Sequence, residues 1–403
     1  MSETLKARDT KDVEDAVGWA VTQGKALEIL GRGSKRGLGR PVAADLVLDL
    51  SGLSGVTLYE PDELVLTAKA GTPVADIEAL LDRYGQELAF EPMDYGPLLG
   101  TESGSGTLGG MLAANLSGPR RIKSGAARDH LLGAMAISGR GERFKSGGRV
   151  VKNVTGYDLC KLLTGSFGTL AVMTEVTVKV LPKAETQATL MVPGLDDDSG
   201  IRAMTAAMGS PCDVSAAAHL PAHVAPRFEG LDAKGPTTLL RLEGVAPSVH
   251  HRKTVLAKLL GEFGAVEDLG EAGPLWRAVR DAKIFAADRG DGERHVFRVS
   301  TPPAQAAAFA AAVSPSAQMF HDWAGGLMWI AVLPHDRVAP ASIRAAIAQF
   351  GGHATLVRAP AEVRAEADVF QPQAEPVAAL SRRIKQGFDP KGVLNPGRMW
   401  AGV

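Results

Sequence analysis

Two glycine-rich stretches contain the residues whose types and spacing could bind an anion. The first, residues 31–39, reads Gly-Arg-Gly-Ser-Lys-Arg-Gly-Leu-Gly and follows a short apolar segment. The backbone N–H groups of such a loop can form a nest around a phosphate, and its basic side chains add opposite charge. The alternative is a basic surface turn, because the Gly-Lys-Ser/Thr ending of a P-loop is missing and no clear helix follows.

The second stretch, residues 106–121, begins Gly-Thr-Leu-Gly-Gly and continues into the apolar segment Met111–Ala113. We expect this segment to be helical, with its first N–H groups free to bind an anion such as a pyrophosphate. A flexible glycine loop is the alternative.

Strands and helices are predicted around both stretches from the spacing of apolar residues. Residues 11–23 have a helical pattern that ends at Gly24, and a second helix is predicted after Thr72. The strand patterns cover residues 26–30, 45–50, 64–70, 127–137 and 172–181. The second half of the chain mixes strand and helix patterns, which predicts an antiparallel sheet covered by helices on one face.

Length and composition limit the classes of function. A chain of 403 residues suggests two domains, and the net charge of −1 gives no reason to expect a nucleic-acid partner. We expect a cytoplasmic protein, since no secretory signal or apolar run of membrane-spanning length is visible. Cys160 and Cys212 fit a reducing compartment and cannot by themselves hold an iron–sulfur cluster.

The order of motifs over residues 11–182 resembles the FAD-binding domain of the vanillyl-alcohol oxidase (PCMH) superfamily. Two segments, 116–121 (Leu-Ser-Gly-Pro-Arg-Arg) and 151–159 (Val-Lys-Asn-Val-Thr-Gly-Tyr-Asp-Leu), resemble more narrowly the FAD-binding E subunits of bacterial glycolate oxidases. The broader match rests on Gly-Arg-Gly-Ser (31–34), Thr-Leu-Gly-Gly (107–110), Asn-Leu-Ser-Gly (115–118), Arg-Asp-His-Leu-Leu-Gly (128–133), Gly-Ser-Phe-Gly-Thr-Leu (165–170) and Glu-Val-Thr-Val-Lys (175–179).

This resemblance implies an α+β fold. A PCMH-type FAD-binding domain of two subdomains would occupy residues 1–183. A smaller α/β cap domain, an antiparallel sheet with helices on one face, would occupy residues 184–403. The segment 388–400 would return to the flavin.

The resemblance also implies which residues contact FAD. The first loop would hold the pyrophosphate, the second would run beside the pyrophosphate and the flavin ring, and Asn395 would contact the flavin with Arg398 nearby. The implied set is Gly31, Arg32, Gly33, Ser34, Lys35, Gly106, Thr107, Leu108, Gly109, Gly110, Ala113, Gly118, Asp129, Gly165, Thr169, Val172, Asn395 and Arg398. Since residues 31–39 contain no His or Cys, we expect the FAD to be noncovalent.

The groups that would oxidise a substrate are harder to find. Flavin-dependent dehydrogenation of a hydroxy acid needs a base for the hydroxyl proton and a cation for the carboxylate. His321, in His-Asp-Trp-Ala-Gly-Gly before a predicted strand, is the candidate catalytic residue, and a loop histidine in an ordinary hydrogen bond is the alternative. We predict no metal, because Pro221 interrupts the only His-x-x-x-His pair, His219 and His223.

Basic residues also follow the second glycine stretch. Arg120, Arg121, Lys123 and Arg128 could bind a phosphate or the carboxylates of a partner, although a solvated face is the alternative for Lys123.

The resemblance therefore implies a noncovalent FAD-binding subunit of a glycolate (2-hydroxy acid) oxidase complex. Its partners would be a second FAD-binding subunit and an iron–sulfur subunit, and the complex would oxidise glycolate to glyoxylate. Peripheral association with the cytoplasmic face of the inner membrane would run through those partners. Two alternatives stay open: a stand-alone FAD-dependent 2-hydroxy-acid dehydrogenase, and a structural FAD-binding scaffold without catalysis of its own.

Overall fold

A computed structural model describes residues 3–149, 156–289, 292–336 and 338–403. The chain divides into two compact units: unit 1 is Met1–Ser117, Gly125–Lys183 and Pro360–Val403, and unit 2 is Gly118–Ser124 and Ala184–Ala359. Most of the 151–159 motif lies outside the described residues.

The strands and helices of the first 183 residues belong to unit 1, except α4, which belongs to unit 2. Unit 1 also includes the C-terminal segment, which is described below. In chain order they are β1 (Glu3–Lys6), α1 (Thr10–Gln23), β2 (Leu27–Leu30), β3 (Leu46–Asp49), β4 (Val56–Glu60), β5 (Val65–Lys69), α2 (Val74–Asp82), β6 (Gln86–Glu87), α3 (Leu108–Ala114), α4 (Arg121–Ser124), α5 (Ala127–His130), β7 (Leu131–Ser138), β8 (Arg143–Gly147), α6 (Leu159–Leu163), β9 (Ala171–Lys179) and β10 (Leu181–Pro182).

Two main sheets build this part of unit 1. One is the parallel sheet β1-β3-β2 and the other is the antiparallel sheet β4-β5-β9-β7-β8, while β6 pairs with β10. Helix α1 begins after Asp9, whose carboxylate accepts from the N–H of Asp12 at 2.9 Å, and it ends at Gly24 in the left-handed conformation. Its apolar face, including Val13 and Val17, packs on a core that includes residues of β2 and β3. The loop after β2 therefore leaves from a firmly packed strand.

Unit 2 is built on one antiparallel sheet of eight strands, ordered β14-β11-β13-β12-β16-β17-β15-β18. The elements are β11 (Thr186–Pro193), α7 (Asp197–Met208), β12 (Ala216–Leu220), β13 (Thr237–Gly244), α8 (Ala246–Leu260), β14 (Glu267–Gly270), α9 (Gly273–Arg280), β15 (His295–Ser300), α10 (Ala306–Ala312), β16 (Gln318–Asp322), β17 (Leu327–Val332), α11 (Val338–Phe350) and β18 (His353–Arg358).

Side chains alternate between the two faces of this sheet. In β13, Leu240 and Leu242 join the core formed with α7 and α8. Arg241, between them, is directed to the opposite face, where its guanidinium lies 4.8 Å from the ring centre of Trp276 in α9. Most helical cover therefore lies on one face, and α9 lies against the other.

The last segment of the chain belongs to unit 1 and contains α12 (Ala361–Glu366) and α13 (Glu375–Phe388). Beyond α13 the chain lies alongside β2: the N–H of Leu27 donates to Val393 at 2.8 Å, and the N–H of Asn395 donates to Leu27 at 2.9 Å. A buried ion pair holds this turn, with Lys385 Nζ 2.7 Å from the Asp389 carboxylate. Asp389 also accepts from the N–H groups of Val393 and Leu394.

The predicted α+β class is confirmed, and the second unit contains the expected antiparallel sheet. Residues 360–387, which the resemblance assigns to the cap, pack with unit 1. The function of each predicted domain stays a prediction. Among the helices of the described residues, none combines the length and apolar character needed to cross a bilayer.

Candidate functional site

The loop after β2 forms a nest of unpaired amides. Within the described residues, the backbone N–H groups of residues 32–35 donate to no other group. The loop curves because the N–H of Arg36 donates to Gly33 and the N–H of Leu38 donates to Lys35, both at 3.0 Å. Polar backbone groups are normally paired in a folded chain, so this run of free donors is suited to an anion.

Lys35 adds a positive charge to the nest. Its Nζ donates to Ser34 Oγ at 3.0 Å and lies 3.4 Å from the position that a Cβ would take on Gly106. Burial lowers the pKa of Lys35 to about 8, although the nearby Asp94 carboxylate opposes this effect. The ammonium therefore lies between the two glycine stretches, poorly solvated and short of acceptors.

Thr107 and Gly31 bring the two glycine stretches into contact. A Cβ on Gly31 would lie 2.3 Å from Thr107 Oγ1, so only glycine permits this approach. Thr107 in turn begins α3, since its Oγ1 accepts from the N–H of Gly110 at 3.3 Å.

The expectation that the first N–H groups of α3 are free for an anion is wrong. The N–H of Leu108 donates to Thr72 at 2.9 Å, that of Gly109 to Ala70 at 2.8 Å, and that of Met111 to Thr107 at 2.9 Å. The first two bonds attach α3 to the residues that follow β5, so the free amides are those of the loop after β2.

Two residues of the C-terminal segment hold the loops. The Asn395 side chain accepts from the N–H of Ile29 and donates to the carbonyl of Phe167, both at 2.8 Å. The buried Arg398 guanidinium donates to the carbonyl of Lys35 at 2.9 Å and lies 3.6 Å from Glu28. Burial lowers the pKa of Arg398 to about 10, and Glu28 partly offsets the shift. Both residues fix the shape of the nest.

Two adjoining clefts of about 500 and 440 Å³ open along these loops. All charged side chains that line them are basic: Arg32, Lys35, Arg36 and Arg398. The second cleft is lined mainly by small and apolar residues, among them Ala70, Val172 and Met173. A basic nest continuous with a mainly apolar cleft suits an elongated ligand with an anionic part and a flat ring, which are features of FAD.

Most of the predicted cofactor residues come together here. Those lining the clefts are Gly31, Arg32, Gly33, Ser34, Lys35, Thr107, Gly109, Gly110, Ala113, Val172, Asn395 and Arg398. Their contact with FAD stays a prediction.

The other predicted residues have different surroundings. Gly106 adjoins Lys35, and Leu108 is fully buried. Gly165 and Thr169 lie in the loop before β9, where the Thr169 hydroxyl donates to Ser166 at 2.8 Å. Two further predicted residues have other partners, and their contact with FAD stays a prediction. Asp129 is exposed and accepts from the N–H of Ala126 at 2.9 Å, while Gly118 belongs to unit 2, where it accepts from the indole of Trp323 at 3.0 Å.

Sequence reasoning missed several lining residues, nearly all of them apolar or small. Ile29 and Leu30 end the strand before the nest. Their position directly before the glycine-rich loop was the sequence signal that could have identified them as lining residues. The others, apart from the basic Arg36, look like ordinary core positions in a sequence: Leu38, Leu50, Ala70, Ala114, Phe167, Gly168, Ala171 and Met173.

His321, the candidate catalytic residue, does not lie in a loop, which was the alternative interpretation. His321 lies within β16 and is fully buried, and neither ring nitrogen has a hydrogen-bond partner among the described residues. Its Nε2 lies 3.9 Å from the carboxylate of Asp197, at the start of α7, and burial lowers the pKa of the imidazole. The imidazole is thus buried between a strand and a helix, and a catalytic role for His321 stays a prediction.

No three His, Cys, Asp or Glu side chains within the described ranges converge as metal ligands. The prediction of no metal stays a prediction.

Comparison with known proteins identifies similar chains. A family model described as an FAD binding domain matches residues 2–147, and one for the C-terminal domain of FAD linked oxidases matches residues 369–399. Glycolate oxidase subunit GlcE of Escherichia coli is 34% identical over 96% of this chain and 96% of its own length. An uncharacterized FAD-linked oxidoreductase of Mycobacterium tuberculosis is 29% identical over 92% of this chain and 84% of its own.

A more distant relative matches only part of the chain. D-lactate dehydrogenase of Archaeoglobus fulgidus is 31% identical over 42% of this chain and 37% of its own length. Among solved structures, p-cresol methylhydroxylase superposes with a TM-score of 0.71 at 15% identity, over 99% of this chain and 88% of that one. At this identity the likeness concerns the fold alone.

Proposed function

The chain belongs to the family of FAD-linked oxidoreductases that includes the glycolate oxidase subunit GlcE, and we propose that it is the FAD-binding subunit of a complex that oxidises glycolate to glyoxylate. The similarity to GlcE extends over nearly the full length of both chains, and FAD is the cofactor of this family. When bound, FAD accepts the reducing equivalents from the carbon that bears the substrate hydroxyl. The partners in this proposal are a second flavoprotein subunit and an iron–sulfur subunit, through which any membrane association would run.

The observation that carries the proposal is the nest of free amides at residues 32–35 beside the poorly solvated Lys35. Converging N–H groups with one adjacent ammonium stabilise a pyrophosphate without a metal ion. The mainly apolar second cleft adjoins this nest and offers surfaces on which a flat ring can lie. Asn395 and Arg398 would act on the cofactor chiefly by bracing these loops, because their side chains are already bonded to protein groups.

The first experiment measures FAD on the purified chain. After loading and removal of free FAD, we expect one noncovalent FAD per chain, released intact by acid. A colourless product from a folded chain would end the proposal. Bleaching of the bound FAD by glycolate without partners would favour the stand-alone dehydrogenase instead.

The second experiment tests the role of this FAD in the complex. The chain is coexpressed with the second flavoprotein and iron–sulfur subunits of its host, and glycolate-dependent dye reduction is measured. We expect that omission of the chain abolishes activity. A Lys35→Met chain washed free of FAD should assemble with the other subunits but should not restore activity. Full activity with that FAD-free chain would support the scaffold alternative.

A further inference from the structure

Trp323 in unit 2 has a guanidinium group on its ring from each of two distant positions in the sequence. The Arg121 guanidinium carbon lies 4.4 Å from the ring centre, and that of Arg298 lies 4.8 Å from it. The indole N–H donates to the carbonyl of Gly118 at 3.0 Å, which fixes the plane of the ring. Trp323 is 5% exposed, so the ring that both cations contact is buried.

The backbone at Trp323 is held in an uncommon conformation. Trp323 has a φ of 52° and Ala324 a φ of 54°, both in the left-handed region that few residues other than glycine adopt. Such strain persists only where the surroundings enforce it, and it concentrates at ligand sites. Here the N–H of Trp323 donates to its neighbour Asp322 at 2.7 Å, and the indole bond to Gly118 holds the side chain.

The arginines of this region differ in their partners. Arg120 donates to the carboxylate of Glu243 at 2.6 Å, and Arg241 lies 3.4 Å from the same carboxylate. Arg298, which is only partly buried, makes no ion pair or hydrogen bond to any residue that the structure describes. Because the N–H groups of Arg298 have no acceptor among the described residues, they are left to bind a carboxylate.

A third polar group lies close to these cations. Desolvation, followed by the charges of Arg298 and Arg121, lowers the pKa of His353 at the start of β18. The imidazole is therefore neutral at pH 7, when it can donate a hydrogen bond without adding a third charge.

We propose that Arg298, Arg121 and the ring of Trp323 form a binding site for the carboxylate of a small organic acid. The edge of a guanidinium matches the two oxygens of a carboxylate, and the contacts of both guanidinium groups with the fixed indole hold the two cations in place. The identity of the acid rests on the proposed function: it would be a 2-hydroxy acid. These residues would hold its carboxylate. Arg298 is the principal anchor because its N–H groups have no protein acceptor.

The test uses the FAD-loaded full-length chain and acetate, which has a carboxylate but no hydroxyl to oxidise. Acetate binding is measured by calorimetry at constant ionic strength, with chloride and inorganic phosphate as comparison anions. We expect saturable acetate binding in the native chain. Arg298→Met should weaken it roughly 10- to 100-fold, the effect of losing charge-assisted hydrogen bonds. Arg277→Met is the matched control, because Arg277 is an exposed arginine of the same unit, and it should bind acetate as the native chain does.

Further variants separate the site from general effects. Arg298→Lys keeps the charge and loses the two-pronged geometry, so it should bind acetate with intermediate affinity and unchanged thermal stability. Trp323→Phe should abolish the change in tryptophan emission that acetate produces in the native chain. Equal acetate affinity in the native chain and Arg298→Met, with both folded, would overturn the site. Equal binding of chloride, phosphate and acetate would also overturn it, because it would indicate only a basic surface.

The inference and the proposed function can fail separately. If acetate binding depends on Arg298 but the complex does not oxidise glycolate, the proposed function is wrong and the carboxylate site is still supported. Glycolate oxidation without acetate binding would remove the site and keep the proposed function.

Discussion

The lowered pKa of Lys35 predicts that FAD affinity depends on pH. In the free chain this pKa is about 8, because burial disfavours the charged ammonium. A bound pyrophosphate would favour the charged form and raise the pKa again. Below pH 8 the lysine is already protonated when FAD binds. Above pH 8 binding must take up a proton, so the dissociation constant rises with pH.

The magnitude follows from proton linkage. If the pKa returns on binding to the ordinary lysine value of 10.5, the dissociation constant rises about tenfold between pH 7 and pH 9. This rise corresponds to about 1.4 kcal/mol of binding free energy. Below pH 7 the curve should be flat. The charge of the nearby Asp94 acts in the opposite direction to burial and is already included in the value of about 8.

The assay is a fluorescence titration of the apoprotein with FAD from pH 6 to pH 9 at constant ionic strength. Lys35→Met should bind FAD roughly 10- to 150-fold more weakly at pH 7, as expected for loss of a charge-assisted hydrogen bond, and with a flat pH profile. Lys35→Arg keeps its charge over this range, so its profile should also be flat. The exposed Lys11 provides the control, and Lys11→Met should follow the native curve.

Two results would refute this reasoning. A native dissociation constant that stays the same from pH 7 to pH 9 would show that Lys35 does not bind the anion. A tenfold rise that persists in Lys35→Met would assign the titration to another group. Circular dichroism of the apoproteins at each pH distinguishes either result from unfolding.

Further predictions concern the packing around the nest. A Cβ on Gly110 would lie 3.1 Å from Thr107 Oγ1 and 3.3 Å from Cε of Lys35, two side chains that line the cleft, so Gly110→Val should lose FAD while the apoprotein still folds. A Cβ on Gly109 would lie 2.7 Å from the Cβ of Ala70, so Gly109→Val should instead lower the melting temperature, and an unchanged value would contradict this packing. Asp389→Asn leaves the Lys385 ammonium buried without its counter-charge and should cost about 3–5 kcal/mol in urea unfolding. Adding Lys385→Met should recover part of that loss; native-like unfolding of the single variant would argue against the buried pair.

The resemblance to the FAD-binding family implied that the nest, the second glycine stretch and the C-terminal segment lie close together. Each has a local pattern: glycines after a strand at Gly31, a hydroxyl before glycines at Thr107, and Asn-Pro-Gly-Arg at Asn395. The pKa of Lys35 could not be predicted, because it depends on how deeply residues far away in the chain bury the ammonium. The wrong expectation for the α3 amides has a similar origin, since their acceptors, Ala70 and Thr72, come from an earlier part of the chain.

Some strands were not predicted because their sequences lack an alternation of apolar and polar residues. The strand β12, residues 216–220, reads Ala-Ala-Ala-His-Leu and is buried on both faces. Its sequence therefore has no alternation of apolar and polar residues that would predict the strand or its pairing with β16. The partner strand β16, which contains His321, was not predicted either, and a loop position for His321 was therefore left open. Gly118, which the resemblance implies lies near FAD, belongs to unit 2 and accepts a hydrogen bond from Trp323, far along the chain, and its contact with FAD stays a prediction.

Unpaired polar groups mark ligand positions only when a ligand can reach them. The amides of residues 32–35 border an open cleft, and the partly buried Arg298 has the edge of its guanidinium unused, so each offers donors to an incoming anion. His321 also lacks partners, but it is fully buried and its ring is neutral, so its unpaired nitrogens are a cost of packing. By contrast, Asn395 and Arg398 are fully engaged with protein groups, as residues that hold a site in shape should be. Removal of a free donor should therefore weaken ligand binding with little loss of stability, whereas removal of a brace should lower both.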